Sequence, residues 1–337
     1  MKNLNINGRE VGDGNPTFII AEVGINHNGN VSLAKEMITS AWEAGADAVK
    51  IQTFITKDFL HPSHPSYIYD VNAEISHDDE LEIWEYARSK NILLFSTPED
   101  FKSLTFIKSQ KPLLIKIAAM DFNFRKLIQA AASLEIPIIL SSGMSTLEEV
   151  LRAERWVRDV GNQNVAMLHC VSCYPTPAET CNLRAIDTIK NATDCPVGFS
   201  DHTVGIHIPM AAVALGANII EKHFTLDRSI DGPDQKSSME PHELSLLVKS
   251  IRDIEISLGN GVKAPCKEEE APRQFKRRGI YTASELKIGS IIDDGSVEFL
   301  APSKSNSSVE NWDKIRGRRL AVNLPKGSPI TIDHLEK

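Results

Sequence analysis

The stretch IIEKHFT at residues 219–225 is a short apolar run that ends in polar side chains. A second such run, VGFSDH, occupies residues 197–202, and the segment Gly205 to Gly216 between them carries apolar residues at helical spacing. This strand–helix–strand order predicts two parallel neighbouring strands about 4.8 Å apart. His202 and His223 then lie at the same ends of adjacent strands, where two imidazoles can share one metal ion. We therefore expect the chemistry at this pair.

The same alternation of strand and helix extends over most of the chain. Strand-like runs end near residues 23, 52, 96, 118, 141, 171, 200 and 223. Helical patterns cover Ser32–Ala44, Asp78–Lys90, Phe101–Ser109, Phe124–Leu134, Ser145–Val160, Leu183–Asn191, Gly205–Gly216 and Pro241–Leu258. Eight such units in about 240 residues predict an α/β fold, a (β/α)8 TIM barrel. Periodicity alone also allows a doubly wound sheet, but polar residues at nearly every strand end favour the barrel.

The segments outside this alternation predict two further parts. Residues 1–16 contain Asn7-Gly8 between short apolar runs, which is typical of a β-hairpin, so the barrel domain is predicted over residues 1–258. Residues 259–278 are polar and contain the charge run 267–270, which indicates a linker. Short strands and turns then predict a small β-rich domain over residues 279–337, too small to bury much apolar surface alone.

Composition limits the class of protein. The net charge is −8, hydrophobic residues make up 42% and charged residues 24%, and there is no basic block, so nucleic acid is not expected as a partner. No signal-peptide pattern and no run of membrane-spanning length is present, so no membrane partner is expected. Five cysteines, an odd number, suit a reducing compartment, and we expect a cytoplasmic protein.

Two lysines lie inside strand-like runs, Lys50 in VKIQT and Lys116 in the apolar run 113–118. A single such lysine is explained by an ion pair, but two on strands that enter the same barrel mouth indicate function. Hydroxyl side chains also stand at strand ends, at Thr97, Ser141 and Ser200. Together these groups predict a site for a small, highly charged anion.

Side-chain alternation along the strands predicts which residues face the barrel interior. Glu22 shares its face with Phe18 and Ile20 and is expected at the mouth of the barrel. Lys222, between Glu221 and His223, is expected to point the other way.

Several motifs in this order resemble the sialic acid synthase family along essentially the whole chain. They are AEVGINHNG at 21–29, VKIQT at 49–53, SSGM at 141–144, HC at 169–170 with YPTP at 174–177, FSDHT at 199–203 and EKHFT at 221–225. KIG at 287–289 and LPKG at 324–327 resemble the C-terminal antifreeze-like (SAF) domain of that family. Motifs in the right order and spacing are more specific than any one of them.

The resemblance implies an activity, a cofactor and an assembly. It implies that phosphoenolpyruvate condenses with an N-acyl amino sugar to give a nine-carbon α-keto acid and phosphate. It also implies a divalent metal ion, most often Mn²⁺ with Mg²⁺ or Co²⁺ as alternatives. The implied assembly is a domain-swapped homodimer in which each antifreeze-like domain covers the partner's active site.

The resemblance also assigns roles to individual residues. His202 and His223 match the metal ligands, and Glu22 matches the catalytic carboxylate. The residues that match the phosphoenolpyruvate contacts of the family are Lys50, Thr97, Lys116, Ser141 and Ser200. The residues that match its sugar contacts are Gln52, Tyr174 and Asp234.

Four positions depart from the pattern of the family and bear on the identity of the sugar. Ala119 stands where the family often has serine, and Gln235 stands where many members have histidine. Ser172 stands where some N-acetylneuraminate synthases have asparagine, and Ala301 replaces the arginine of an Arg-Pro pair. Because a guanidinium grips oxygen acceptors in a way that alanine cannot, we expect an unphosphorylated acceptor, N-acetylmannosamine. The alternatives are a 2,4-diacetamido-trideoxyhexose, as in legionaminate or pseudaminate synthesis, and a 6-phosphorylated sugar.

The chemistry can also be argued without the resemblance. The C3 atom of phosphoenolpyruvate is a weak nucleophile, so the aldehyde needs a Lewis acid, and two histidines leave coordination positions open for it. Glu22 can accept a proton at the mouth. A different class, a Schiff-base aldolase, would use Lys50 or Lys116 as the nucleophile and would need no metal. A non-enzymatic carbohydrate or ice binder would leave the polar strand ends unexplained.

Overall fold

The computed structural model describes residues 3–304 and 306–337, which divide into two compact units at Gly259 and Asn260. The first unit begins with an antiparallel hairpin, β1 (Leu4–Ile6) and β2 (Arg9–Val11). Asn7 and Gly8 connect these strands with φ of 51° and 86°, the left-handed conformation that an Asn-Gly turn of this kind requires. The predicted hairpin is therefore confirmed.

Eight parallel strands close into a barrel in chain order, with β10 beside β3. They are β3 (Phe18–Gly24), β4 (Ala48–Thr53), β5 (Leu94–Pro98), β6 (Ile115–Ile117), β7 (Ile138–Ser141), β8 (Val165–Cys170), β9 (Val197–Asp201) and β10 (Ile219–His223). The predicted (β/α)8 barrel is confirmed, and the doubly wound alternative is excluded by the closure of the sheet.

Helices follow the strands on the outside of the barrel. They are α1 (Val31–Glu43), α2 (Thr56–Phe59), α3 (Tyr67–Ala73), α4 (His77–Ser89), α5 (Phe101–Ser109), α6 (Arg125–Ala132), α7 (Leu147–Asp159), α8 (Ala185–Ala192), α9 (His207–Ala214) and α10 (Pro241–Leu258). Side chains at the first turn explain several starts: Asn30, Ser76 and Asp100 accept hydrogen bonds from backbone N–H groups of α1, α4 and α5. The sequence did not predict α2 and α3, because helices of four and seven residues are too short to show a periodic pattern.

In the described part of the barrel unit, a large apolar core lies on each side of the barrel wall. The outer core lies between the strands and the helices. The inner core fills the lower half of the barrel with Phe18, Ile20, Phe95 and other inward-facing residues, and Leu4 and Val11 of the hairpin pack against it. Since the hairpin and the apolar layer fill one end, polar side chains inside the barrel are confined to the other end.

The second unit is small and rich in β structure. Its strands β11 (Gly279–Thr282) and β12 (Val297–Leu300) pair antiparallel, and a separate core contains Ile280, Ile292, Leu320 and Ile330. Outside these two strands, isolated bridges join Leu286 to Leu324 and Leu320 to Leu335.

The predicted linker at 259–278 is exposed and contains helical turns that the sequence did not predict. A 3₁₀ turn at Lys267–Glu269 leads into α11 (Glu270–Lys276), and α12 (Trp312–Ile315) lies later in the unit. Within the described residues, no helix combines the length and the apolar character that crossing a membrane requires.

Candidate active site

The upper end of the barrel interior is lined by polar side chains. Along each strand they follow the apolar residues of the lower layer at intervals of two, as Glu22 follows Ile20 and Lys116 follows Leu114. The inward-facing residues that the sequence predicted all lie in this layer: Glu22, Lys50, Gln52, Thr97, Lys116, Ser141, Ser200, His202 and His223. The fold thus brings them into one mouth.

The two lysines form a buried network with two carboxylates. Lys50 Nζ lies 2.7 Å from Glu22 Oε2 and 3.8 Å from Glu221 Oε2. Lys116 Nζ donates a hydrogen bond of 3.0 Å to Glu221 Oε1, and Lys50 Nζ donates one of 3.1 Å to Thr97 Oγ1. The side chains of both lysines are 3% exposed, so their charges act in a water-poor environment where ion pairs are strong.

The two carboxyl groups have opposite pKa shifts. Burial raises the pKa of Glu22 to about 7; Lys50 opposes this shift, and the negative charge of Glu221 adds to it. Burial also disfavours ionisation of Glu221, but Lys116, Lys50 and a hydrogen bond of 3.1 Å from Ser200 Oγ outweigh it and hold the pKa at about 2. Near neutral pH, Glu22 exchanges a proton while Glu221 remains ionised.

Both lysines are paired with carboxylates. Burial disfavours the charged form of Lys50, but Glu22 and Glu221 outweigh burial and raise its pKa. Burial lowers the pKa of Lys116, which nevertheless keeps its contact with Glu221. Since a Schiff base needs an unprotonated, accessible amine, this arrangement favours anion binding over imine formation.

Several buried polar atoms in this layer have no hydrogen-bond partner among the described residues. They include Glu22 Oε1, Ser141 Oγ and His223 Nδ1. Buried polar groups are nearly always satisfied, so their clustering indicates that a ligand satisfies them.

The imidazoles of His202 and His223 face each other, with ring centroids 5.2 Å apart. His202 Nδ1 lies 2.9 Å from the Val171 carbonyl oxygen, which can only accept, so Nδ1 carries the proton and Nε2 carries a lone pair. Burial, followed by the neighbouring His202 and Lys50, holds the pKa of His223 well below its usual range, so this ring is neutral. Two neutral imidazoles with free lone pairs are suitable ligands for a divalent metal ion.

The two histidines alone do not fill the coordination sphere of a metal ion. Within residues 3–304 and 306–337, no group of three or more His, Cys, Asp or Glu side chains is arranged to hold an ion. A pair of histidines leaves positions for water and a substrate oxygen, as catalytic metal sites do and structural sites do not.

A buried ion pair lies behind the two histidines. Lys222 Nζ is 2.7 Å from Asp201 Oδ2, and Lys222 also donates to the carbonyl oxygen of Thr203. Thr203 N in turn donates to Asp201 Oδ1 at 2.8 Å. Lys222 therefore points away from the mouth, as predicted, and joins the ends of β9 and β10 directly beside the residues that carry the imidazoles.

The residues expected to hold the sugar lie beside the histidines. The ring centroids of Tyr174 and His202 are 4.1 Å apart, and Asp234 Oδ2 is 3.7 Å from His223 Nδ1. Burial raises the pKa of Asp234 to about 6, and the charge of Asp70 adds to this shift. Gln52, the penultimate residue of β4, pairs with Thr97 of β5 and is half-buried.

The structure adds residues that the sequence analysis left without a role. Glu221 and Cys170 face the mouth, and strand alternation could have identified both, since each lies two residues from another inward-facing side chain. Glu99, which is buried, shares a hydrogen bond with Asp121. Glu99 directly follows β5 and Asp121 ends a short 3₁₀ turn after β6, and no periodicity identifies residues in such short segments.

The four positions that depart from the family pattern fall in different places. Ala119 and Ser172 lie together, since a Cβ at Gly143 would be 3.0 Å from Ala119 Cβ and 2.3 Å from Ser172 Oγ. Gln235 is buried and donates to the backbone near β3. Ala301 follows β12 in the second unit.

Comparison with known proteins gives consistent matches. The model described as the NeuB family matches residues 37–263, and the model described as the SAF domain matches residues 277–336. The chain is 37% identical over 353 residues to the N,N'-diacetyllegionaminic acid synthase of Legionella pneumophila, covering 99% of each chain. It is 40% identical over 304 residues to uncharacterized protein MJ1065 of Methanocaldococcus jannaschii, covering 90% of each chain.

A solved structure shows the same fold at similar identity. The N-acetylneuraminic acid (sialic acid) synthetase of Leptospira borgpetersenii, in complex with citrate, matches with a TM-score of 0.76 and 37% identity. The match covers 80% of this chain and 95% of that chain.

Proposed function

Because this chain belongs to the NeuB family of nonulosonic acid synthases, we propose that it condenses phosphoenolpyruvate with an unphosphorylated N-acyl amino sugar and releases phosphate. The chain is thus an enzyme, a transferase that forms a carbon–carbon bond. One observation carries the proposal: two buried lysines and two neutral imidazoles face the same barrel mouth. The lysines suit a polyanion, and the imidazoles suit an ion that activates a carbonyl group.

Phosphoenolpyruvate binds, in this proposal, against Lys50 and Lys116. Its carboxylate and phosphate accept hydrogen bonds from these ammonium groups and from the hydroxyl groups of Thr97, Ser141 and Ser200. Ser141 Oγ has no partner among the described residues, so it donates to a bound oxygen without breaking an existing bond. Fixed donors of this kind stabilise charge without reorganising during the reaction.

His202 and His223 would hold the metal ion, with Mn²⁺ expected and Mg²⁺ or Co²⁺ as alternatives. When bound, a divalent ion supplies Lewis-acid polarisation of the sugar aldehyde. Tyr174, whose ring packs against His202 at an interplanar angle of 36°, orients that ring and covers one side of the site.

Glu22 handles a proton in this reaction. The C3 atom of phosphoenolpyruvate bonds to the aldehyde carbon, and the aldehyde oxygen takes up a proton to become a hydroxyl group. Water adds to C2, and the C2–O bond to phosphate then breaks, so that C2 becomes the keto carbon and phosphate leaves. With a pKa of about 7, Glu22 is half-ionised near neutral pH and accepts the proton that the added water loses.

The acceptor sugar lies against Gln52, Tyr174 and Asp234 in this proposal. Asp70 and Asp231 act electrostatically on the same neighbourhood as Asp234, since all three raise the pKa of Tyr69. A phosphorylated sugar would bring a dianion toward these carboxyl groups and would be repelled, so an unphosphorylated sugar is proposed. N-acetylmannosamine is the acceptor that we propose first.

A 2,4-diacetamido-trideoxyhexose is the second candidate. The observation that favours it is the similarity over 99% of both chains to a protein named N,N'-diacetyllegionaminic acid synthase. Both sugars offer an N-acyl group and an aldehyde, so the lysine and histidine halves of the site serve either one.

We also propose that two copies assemble as a domain-swapped dimer, with residues 279–337 of each covering the partner's mouth. Sizing chromatography of the full chain and of a chain that ends at residue 278 tests this proposal. Deletion should weaken sugar binding more than phosphoenolpyruvate binding. A fully active monomer would contradict the proposal.

The test of function is a panel of acceptors at matched concentrations. Phosphate release is measured with phosphoenolpyruvate, Mn²⁺ and N-acetylmannosamine, its 6-phosphate or the diacetamido sugar. We expect turnover with an unphosphorylated sugar, and Ala301→Arg should lower its KM. A clear preference for the 6-phosphate would overturn the proposed acceptor class, and turnover with none of them would overturn the function.

A further inference from the structure

The segment between β4 and α4 packs over the loop that follows β3. Phe54, Phe59 and Tyr69 of this segment contact Ile25 and Ala73 in a small apolar cluster of their own. This cluster anchors α3 beside the mouth, although α3 contributes no residue to the predicted site.

Tyr69 is linked through Asn28 to the loop that carries Asp234. The Tyr69 hydroxyl donates a hydrogen bond to Asn28 Oδ1, and Asn28 Nδ2 donates one of 3.0 Å to the Asp231 carbonyl oxygen. The three residues come from α3, from the loop after β3 and from the loop after β10, so this bridge connects segments that the barrel strands do not otherwise join.

The loop around Gly232 is held closely against Tyr69. A Cβ at Gly232 would lie 2.9 Å from the Tyr69 hydroxyl oxygen and 2.9 Å from Gln235 Cγ, so a larger residue there would displace one of these side chains. On its other side, Gln235 Nε2 donates to the Asn26 carbonyl oxygen at 3.1 Å. Residues 231–235 are thus fixed between Tyr69 and the β3 loop.

The Tyr69 hydroxyl group remains protonated near neutral pH and can therefore donate its hydrogen bond. Burial raises the pKa of Tyr69 to about 12, and the carboxylates of Asp234, Asp231 and Asp70 add to this shift. The bridge therefore does not switch on and off with pH near neutrality.

We propose that Tyr69 is a positioning residue for sugar binding: through Asn28 it fixes the loop that places Asp234 beside the histidines. The inference rests on the proposed function, in which Asp234 contacts the acceptor sugar. It makes α3, a segment remote from the catalytic strands in sequence, a determinant of acceptor affinity. Phosphoenolpyruvate, which binds on the lysine side, should not depend on the bridge.

The test removes each half of the bridge with little other change. Tyr69→Phe deletes only the hydroxyl. Asn28→Gly deletes the amide and keeps a residue that tolerates the observed φ of 49°. Tyr67→Phe on the same helix is the matched control, because the Tyr67 hydroxyl makes no hydrogen bond to the part of the chain that the structure describes.

We expect Tyr69→Phe and Asn28→Gly each to raise the sugar KM about 3- to 10-fold, the effect of one lost hydrogen bond. The Kd of phosphoenolpyruvate, measured calorimetrically, should stay within twofold of wild type, about the precision of such a comparison. The double variant should be no worse than the more impaired single variant, because both changes break the same bridge. Tyr67→Phe should match wild type.

Three results would overturn the inference: an unchanged sugar KM in Tyr69→Phe, an equal loss of phosphoenolpyruvate affinity, or additive effects in the double variant. Hydrogen exchange of residues 229–236 gives a readout that is independent of turnover. Faster exchange in Tyr69→Phe supports the bridge, and unchanged exchange contradicts it. A wild type that releases no phosphate with any acceptor refutes the proposed function instead, and with it the role of the bridge in sugar binding.

Discussion

Replacing Glu22 with Gln tests the proton-handling role most directly. Glutamine keeps the shape of the side chain and can accept a hydrogen bond from Lys50, which lies 2.7 Å from Glu22 Oε2, but it cannot ionise. We expect both substrates still to bind while kcat falls about 10²-fold or more, the usual contribution of a positioned acid or base.

The pKa of Glu22 predicts how the rate depends on pH. With a pKa of about 7, Glu22 is about 9% ionised at pH 6 and about 91% ionised at pH 8. A step that needs the carboxylate should therefore accelerate about tenfold between these pH values in wild type. In Glu22→Gln, the rate should no longer rise between pH 6 and pH 8.

The same shift predicts how stability changes with pH. Between pH 4.5 and 7 the folded protein retains the Glu22 proton that the unfolded chain has lost, so the free energy of unfolding falls as pH rises. The fall is about 3 kcal/mol at most and should be smaller in Glu22→Gln.

Two assays check these expectations. Phosphate release is followed from pH 5.5 to 9 at saturating substrates, and urea unfolding is compared at pH 5 and pH 8. A Glu22→Gln variant with a kcat within twofold of wild type, or with an unchanged rise in rate between pH 6 and pH 8, would refute the reasoning and leave Glu22 a structural role.

Four further substitutions test the histidine pair, the ion pair behind it and the anion site. His202→Ala and His223→Ala should each abolish Mn²⁺ binding by calorimetry and phosphate release while the thermal unfolding midpoint stays close to wild type; full release by EDTA-treated wild type would contradict this. Lys222→Met should destabilise the protein by about 3–5 kcal/mol, measured by urea unfolding, because it leaves Asp201 buried and unpaired; an unchanged midpoint would count against the buried pair. Lys116→Met should weaken phosphoenolpyruvate binding at least about tenfold, since a hydrogen bond to a charged group is lost; equal affinity in calorimetry would remove Lys116 from the anion site.

The sequence predicted the barrel and the direction of its side chains because both follow from periodicity. A strand with its lower residues in the inner core places every second side chain in the interior, which is why Glu22 and Lys116 face the mouth and Lys222 faces away. The helical spacing of apolar residues and the Asn7-Gly8 turn are local sequence signals of the same kind.

Contacts between distant loops could not be predicted in this way. Tyr69 meets Asn28 from 41 residues away, and Asn28 reaches Asp231 across 203 residues. Both contacts depend on where short, non-periodic segments settle on the barrel. Glu99 and Asp121 were not predicted for the same reason, since Glu99 lies just after β5 and Asp121 lies in a short 3₁₀ turn after β6. The residues that position the site from outside the strands are therefore harder to predict from the sequence than the strand residues that line it.

The difference between Glu22 and Glu221 shows why geometry must assign roles within one layer. Both are buried carboxyl groups at the same level of the barrel, and burial raises the pKa of each. Glu221 lies between Lys116 and Lys50 and remains ionised, so it orders the two ammonium groups but does not exchange protons near neutral pH. Glu22 has only Lys50 beside it and the negative charge of Glu221 nearby, so its proton is retained until about pH 7. Two like groups with pKa values pushed apart are the usual sign of an acid–base assignment, and here that assignment falls on Glu22.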